Sequence, residues 1–241
     1  RYRNFGAAYC YFAHRAALSA YFKESCLFVG ALCLVGFVCN DFKYGCCVVK
    51  LGGVMNTLYI PILLGTKREK RRSIWAAKLV EQIGKDIEGI EVELIDPVDF
   101  NFPGDGNDPE GKDPRYTAIT ERADGFFIVT PEYNHSFPGT LKRMLDSELK
   151  NYVHKPVAIA GVSETIWGGV RVIESLLHPA RELGLVVTYT DVHFPRVQDI
   201  FDENGTLLDD AYIERVKKSY AELIWMAKVL KDGREKYPRA T

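Results

Sequence analysis

From residue 58 onward the chain alternates short apolar runs with segments whose apolar residues recur at helical spacing. That alternation confines it to a small set of folds. Leu58–Leu64 (Leu-Tyr-Ile-Pro-Ile-Leu-Leu) has the length and apolarity of a strand buried on both faces. Pro61 is out of place there, because proline removes a ladder donor. Ser73 can cap a helix whose apolar residues fall at Ala76, Leu79, Val80, Ile83 and Ile87. Ile90–Ile95 alternates like a half-exposed strand, a loop rich in proline and glycine spans 96–113, and a short helix is expected over 114–122. The strand 125–130 leads to a helix with Leu141, Met144, Leu145 and Leu149 on one face and Lys142, Arg143, Asp146 and Lys150 on the other. Strand 156–161 and a helix near 169–183 follow, the latter aligning Ile173, Leu176, Leu177 and Ala180. Strand 185–190 and a helix over 209–232 complete the pattern, the helix aligning Ile213, Val216, Tyr220, Leu223, Ile224 and Ala227. Five strands alternating with helices predict an α/β three-layer sandwich: a five-stranded parallel sheet with helices on both faces. In such sheets ligands bind beyond the carboxyl ends of the strands.

Composition marks where this pattern begins. All six cysteines precede Met55 and all eleven prolines follow it. Residues 1–54 carry six Lys/Arg and two Asp/Glu, which leaves the remainder 25 basic and 30 acidic residues. A mildly acidic, cysteine-free domain is therefore expected over 55–241. The chain starts at Arg1 rather than Met, and 1–54 is read as an N-terminal leader outside the working domain. Its apolar stretch Leu27–Cys39, 13 residues long, is short of the roughly 20 a spanning helix needs. It has the length of a signal-peptide core, so a targeting segment is the alternative reading. Net charge is −1, which gives no global attraction to nucleic acid or anionic membrane. The domain is expected to be cytoplasmic.

Three strand ends carry unusual loops. Gly65-Thr-Lys-Arg-Glu-Lys-Arg-Arg-Ser73 runs from a strand into a helix N-terminus, where free N–H groups and the helix dipole favour an anion. Thr66 and Ser73 add hydroxyls, and Arg68 and Arg71 add forked cationic donors. The bland alternative is a solvated basic turn; the place after the first strand favours a phosphate. The loop has neither the Walker pattern nor the dinucleotide Gly-x-Gly-x-x-Gly. Pro131-Glu-Tyr-Asn-His-Ser136 leaves a buried strand with backbone groups that must find partners. A flat heterocycle with a donor–acceptor edge is one candidate partner, and a proline-stiffened connection is the alternative. The third loop, Val162–Gly169, ends in paired glycines that permit close backbone approach.

The run Thr130-Pro-Glu-Tyr-Asn-His-Ser-x-Pro-Gly-x-Leu-Lys142, followed by Asp146, resembles the signature of the NADPH-dependent FMN reductases. This is the flavodoxin-like group that includes small quinone and azo-dye reductases. Gly65-Thr-x-Arg-x-x-Arg-x-Ser73 is similar to that family's phosphate loop, and Gly168-Gly-x-Arg171 to its third segment. The resemblance covers about 57–232 with the motifs in order. It implies a flavodoxin-like fold that binds FMN and passes hydride from NADPH, with NADH possible, through flavin N5 to a small acceptor. The FMN phosphate would sit on Thr66, Arg68, Arg71 and Ser73. The ring would lie against Pro131, Glu132, Tyr133 and Asn134, with Ser163 and Gly168 on the segment closing the other side. Thr165 stands where the family often has glycine. The resemblance also implies a homodimer or homotetramer with the flavin near the subunit contact. No side chain is required as a nucleophile.

Other chemistries find little support. Gly161-x-Ser163-x-Thr165 lacks the second glycine of a nucleophile elbow, and the histidines show no metal-ligand spacing. His135, inside the signature, is a candidate for the substrate side, and Trp167 for a packing or subunit contact. A non-enzymatic flavodoxin-like electron carrier or a flavin-binding regulatory module stands as the alternative to a reductase.

Overall fold

The computed structural model describes residues 57–237, so the 1–54 leader expected from composition lies outside the described residues. In chain order the elements are β1 (Leu58–Leu64), α1 (Ser73–Lys85), β2 (Ile90–Ile95), α2 (Pro114–Arg122), β3 (Phe126–Pro131) and α3 (Gly139–Asp146). They continue with β4 (Pro156–Val162), α4 (Val170–Glu182), β5 (Val186–Val187), β6 (Val192–Phe194), α5 (Val197–Ile200) and α6 (Ala211–Lys236). Every named strand pair is parallel. The order is β2-β1-β3-β4-β5, with β6 also paired to β4. That is the flavodoxin-like order of a doubly wound sheet, whose ligand crevice lies at the β1/β3 switch point.

Alternation along β1 divides two cores. Leu58, Ile60, Ile62 and Leu64 pack with α1 and α6, while Tyr59 and Leu63 pack with α2, α3 and α4. Successive side chains of a strand point to opposite faces, so a run apolar throughout must be covered on both. Pro61 is accommodated because the β1–β3 register begins only at Ile62 with Phe127. Just before that point the Tyr59 N–H is taken by the Asp124 carboxylate at 3.1 Å rather than by a ladder carbonyl.

The expected fifth strand, 185–190, is broken. β5 pairs with Pro156 and Val157, and β6 with Ala160–Val162, on the same edge of β4. Between them Thr188 N–H still reaches the Val157 carbonyl (2.9 Å), and the Thr190 carbonyl turns to Ser219 Oγ on α6 (3.2 Å). The sheet is thus five positions wide with a split edge. Two other expectations are corrected. Leu149 lies past the end of α3 and is 47% exposed, and Leu177 on α4 is 37% exposed. Helical spacing overstated how far each buried stripe extends. Among the described residues, no helix is long and apolar enough to cross a membrane.

Candidate functional site

The three loops flagged by sequence follow β1, β3 and β4, three adjacent strands of one sheet. Their carboxyl ends therefore sit side by side. The first loop passes flush against β3. Gly65 N–H donates to the Val129 carbonyl (2.8 Å), and a Cβ on Gly65 would lie 2.3 Å from Thr130 Oγ1. Thr66 is buried; its Oγ1 accepts the Arg68 N–H (3.2 Å) and meets the Tyr133 hydroxyl at 3.3 Å. The Arg68 guanidinium stands 5.9 Å from the Tyr133 ring centre. The phosphate-loop and tyrosine-loop candidates are thus brought together by direct contact.

Arg71 turns the other way. It forms an ion pair with Asp96 after β2 and donates through Nη1 to the Arg68 carbonyl (3.2 Å). Ser73 is not the helix cap: it is the first residue of α1, whose cap position is Arg72 with no side-chain bond. Ser73 is buried, and both its Oγ and the Nε of Arg71 are buried with no partner among the described residues. Orphaned polar atoms of this kind are rare in a finished interior. Here they sit at a helix N-terminus, where free N–H groups also collect.

The second loop differs from its sequence reading. Glu132 N–H donates to the Val162 carbonyl (2.9 Å). Tyr133 and Ser136 exchange both backbone bonds, at 2.8 and 2.9 Å, as an antiparallel bridge. Between them Asn134 and His135 have φ of 50° and 65°. This is a two-residue hairpin with both central residues left-handed, the geometry of a type I′ turn. The expectation that these backbone groups leave the sheet unpartnered is therefore wrong for Glu132, Tyr133 and Ser136. The hairpin escaped notice because such turns are signalled by glycine, and here Asn134 and His135 take the strained positions. Asn134 and His135 are both exposed at its tip. The Glu132 carboxylate takes one N–H from Arg171 (3.2 Å). Its Oε2 is buried and without a partner among the described residues.

In the third loop Ser163 spends its hydroxyl on its own turn, bonding the Thr165 carbonyl at 2.9 Å and accepting the Thr165 N–H at 3.3 Å. Thr165, the departure from the family pattern, thus completes a local turn. Gly168 and Gly169 have φ of 59° and 77°, and a Cβ on Gly161 would lie 2.6 Å from the Gly169 carbonyl oxygen. Only glycine fits at this crossing of backbones. Trp167 is 53% exposed, with the Arg171 guanidinium 5.1 Å from its ring centre.

Sequence reasoning missed two supports. Arg143, expected on a solvent face of α3, donates to the carbonyls of Phe102 (3.4 Å), Pro103 (2.9 Å), Gly106 (2.7 Å) and Gly111. It holds the 96–113 loop as one wall of a cavity of about 290 Å³ beside Lys67 and Thr140. Asp96 is the other, the partner of Arg71. Neither could be found without knowing that the loop after β2 folds back onto the site.

The family described as NADPH-dependent FMN reductase matches residues 58–199. An NAD(P)H-dependent FMN reductase of Pseudomonas aeruginosa is 28% identical over 170 residues, 64% of this chain and 88% of that protein. A quinone reductase of Pseudomonas putida is 24% identical over 167 residues, again 64% of this chain and 88% of the relative. Among solved structures, the flavoenzyme NAD(P)H:(acceptor) oxidoreductase FerB of Paracoccus denitrificans is similar at a TM-score of 0.57 and 20% identity. The match covers 71% of this chain and 98% of FerB. At that identity the likeness shows the fold alone.

Proposed function

This chain belongs to the NADPH-dependent FMN reductase family, and on that premise we propose how its own residues hold FMN and what it reduces. It is an FMN- and NAD(P)H-dependent oxidoreductase; the site assignment and the acceptor are the proposal. The FMN phosphate is placed at the N-terminus of α1, against Thr66, Arg68 and Ser73, with Arg71 fixing the loop from behind. The buried, unpartnered Ser73 hydroxyl carries this assignment. A hydroxyl at a helix N-terminus with no partner among the described residues fits a phosphate oxygen. The ring is placed beside Pro131, Glu132, Tyr133 and Asn134, with Ser163 and Gly168 on the facing loop. When bound, FMN supplies hydride transfer at N5. The protein's share is binding, orientation and electrostatics. Thr66 and Arg68 anchor one end, and the hairpin limits the ring's tilt.

The acceptor is placed among small, flat, two-electron acceptors such as quinones or azo compounds, which an open site between exposed loops can admit. A second copy of the chain is placed over the exposed strip Ile166, Trp167, Val170 and Leu177, which runs from the third loop along α4. Sedimentation of the purified protein checks this; a strict monomer at working concentration refutes it. The functional test is direct. The full chain, purified and loaded with FMN, should show a flavin spectrum that bleaches with NADPH and recovers on adding a quinone. A colourless protein that gains no flavin absorbance in excess FMN defeats the site assignment. A yellow one that oxidises no NADPH with any acceptor defeats the acceptor reading.

A further inference from the structure

The tyrosine hairpin is fastened to α4 at both of its ends. At its base, Arg171 donates to Glu132 at 3.2 Å. Where the chain returns from the tip, Ser136 Oγ donates to Ser175 Oγ at 3.2 Å. Arg171 and Ser175 are four residues apart, so both fastenings lie on one face of α4. The hairpin they hold carries two non-glycine residues at positive φ, Asn134 and His135. A conformation of that kind persists only where its surroundings over-determine it. Arg171 is itself held, its guanidinium 5.1 Å from the Trp167 ring centre.

The base of the hairpin is also an electrostatic device. The Glu132 side chain is 9% exposed and that of Arg171 37%. A buried carboxylate is tolerated only when paired, and Arg171 is the cation that pairs it. Glu132 keeps a second oxygen, buried and unpartnered among the described residues. That oxygen is an acceptor for which the described residues supply no donor, and an isoalloxazine ring has one such N–H on its pyrimidine edge.

We propose that Arg171 is a positioning residue for the flavin: with Ser175 it fixes the hairpin, and with Glu132 it balances the charge beside the ring. This rests on the FMN placement above. Reduced flavin carries negative charge. Removing the cation therefore disfavours the reduced form, and removing the carboxylate favours it. A purely structural role would push both variants the same way.

The test uses the full chain loaded with FMN, read by spectroelectrochemical midpoint potential and by the dissociation constant of oxidised FMN. Arg171→Met should weaken reduced relative to oxidised FMN by about tenfold, equivalent to a drop of about 30 mV for a two-electron couple. Glu132→Gln should move the potential up, the double variant should return near wild type, and Arg171→Lys should keep most of the wild-type value. Opposite shifts that cancel in the double variant support the inference. Single variants that shift in the same direction, or potentials that stay within twofold in the binding ratio, overturn it. Wild-type protein that takes up no FMN would instead sink the placement on which the inference rests.

Discussion

At Gly161 there is no room for a side chain, because a Cβ would lie 2.6 Å from the Gly169 carbonyl oxygen and 2.9 Å from that of Gly168. Both obstacles are backbone and cannot rotate away. Gly161→Ala should therefore displace the third loop, lowering stability by ~1–3 kcal/mol as overpacking does and loosening FMN. A denaturant midpoint equal to wild type would show that the crossing can give. Arg68 and Arg71 look equivalent in the sequence but are expected to separate by experiment. Arg68 is exposed over Tyr133, so Arg68→Ala should cost ten- to a hundredfold in FMN retention, the ~1.5–3 kcal/mol of a charge-assisted contact, with the melting temperature unchanged. Arg71 is tied to Asp96, so Arg71→Ala should lower the melting temperature as well. Equal melting temperatures for the two variants would contradict that division. The basic turn after β1 was legible in the sequence. Which of Arg68 and Arg71 pairs with Asp96 was not, because Asp96 lies 25 residues away along the chain.

Among the elements, the 96–113 segment has the least regular structure yet is pinned at two points. Arg143 gathers four of its carbonyls. Asp113 accepts the N–H of Asn101 (3.0 Å) and of Arg115 (3.0 Å), the latter capping α2. Arg143→Met should leave the sheet intact but free the loop, seen as faster proteolysis between Phe102 and Lys112; unchanged cleavage would show the loop holds itself. Bonding from the Arg115 side chain, with the two backbone N–H groups, pulls the Asp113 carboxyl down to about 2. In the unfolded chain it titrates near the ordinary ~3.9. The folded state thus binds its proton later than the unfolded state, so the stabilisation is present above about pH 4 and fades as pH falls toward 2. The stability gap between wild type and Asp113→Asn should close over that window. A gap constant from pH 5 to 2 would remove Asp113 from the account. Alternation made α1 to α4 and β1 to β4 legible, since a period of 2 or 3.6 is local. The split edge strand was not legible; at the break the Thr190 carbonyl accepts from Ser219 on α6, 29 residues along the chain.

For the whole molecule, residues 57–237 bury two apolar layers on either side of one sheet, and every contact used above lies within them. Protein truncated to 55–241 is therefore expected to fold and take up FMN as the full chain does. An insoluble or colourless truncation would show that 1–54 is part of the working unit. The sequence alone determined the class of fold, the order of its elements and the family, because hydrophobic period and short motifs are properties of neighbouring residues. It also marked the three loops. The tertiary structure alone decided how those loops meet: Thr66 against Tyr133, Glu132 against Arg171, Ser136 against Ser175. Those pairs are 39 or more residues apart. Only the parallel winding of the sheet, which delivers successive strand ends to one rim, brings them within hydrogen-bonding distance.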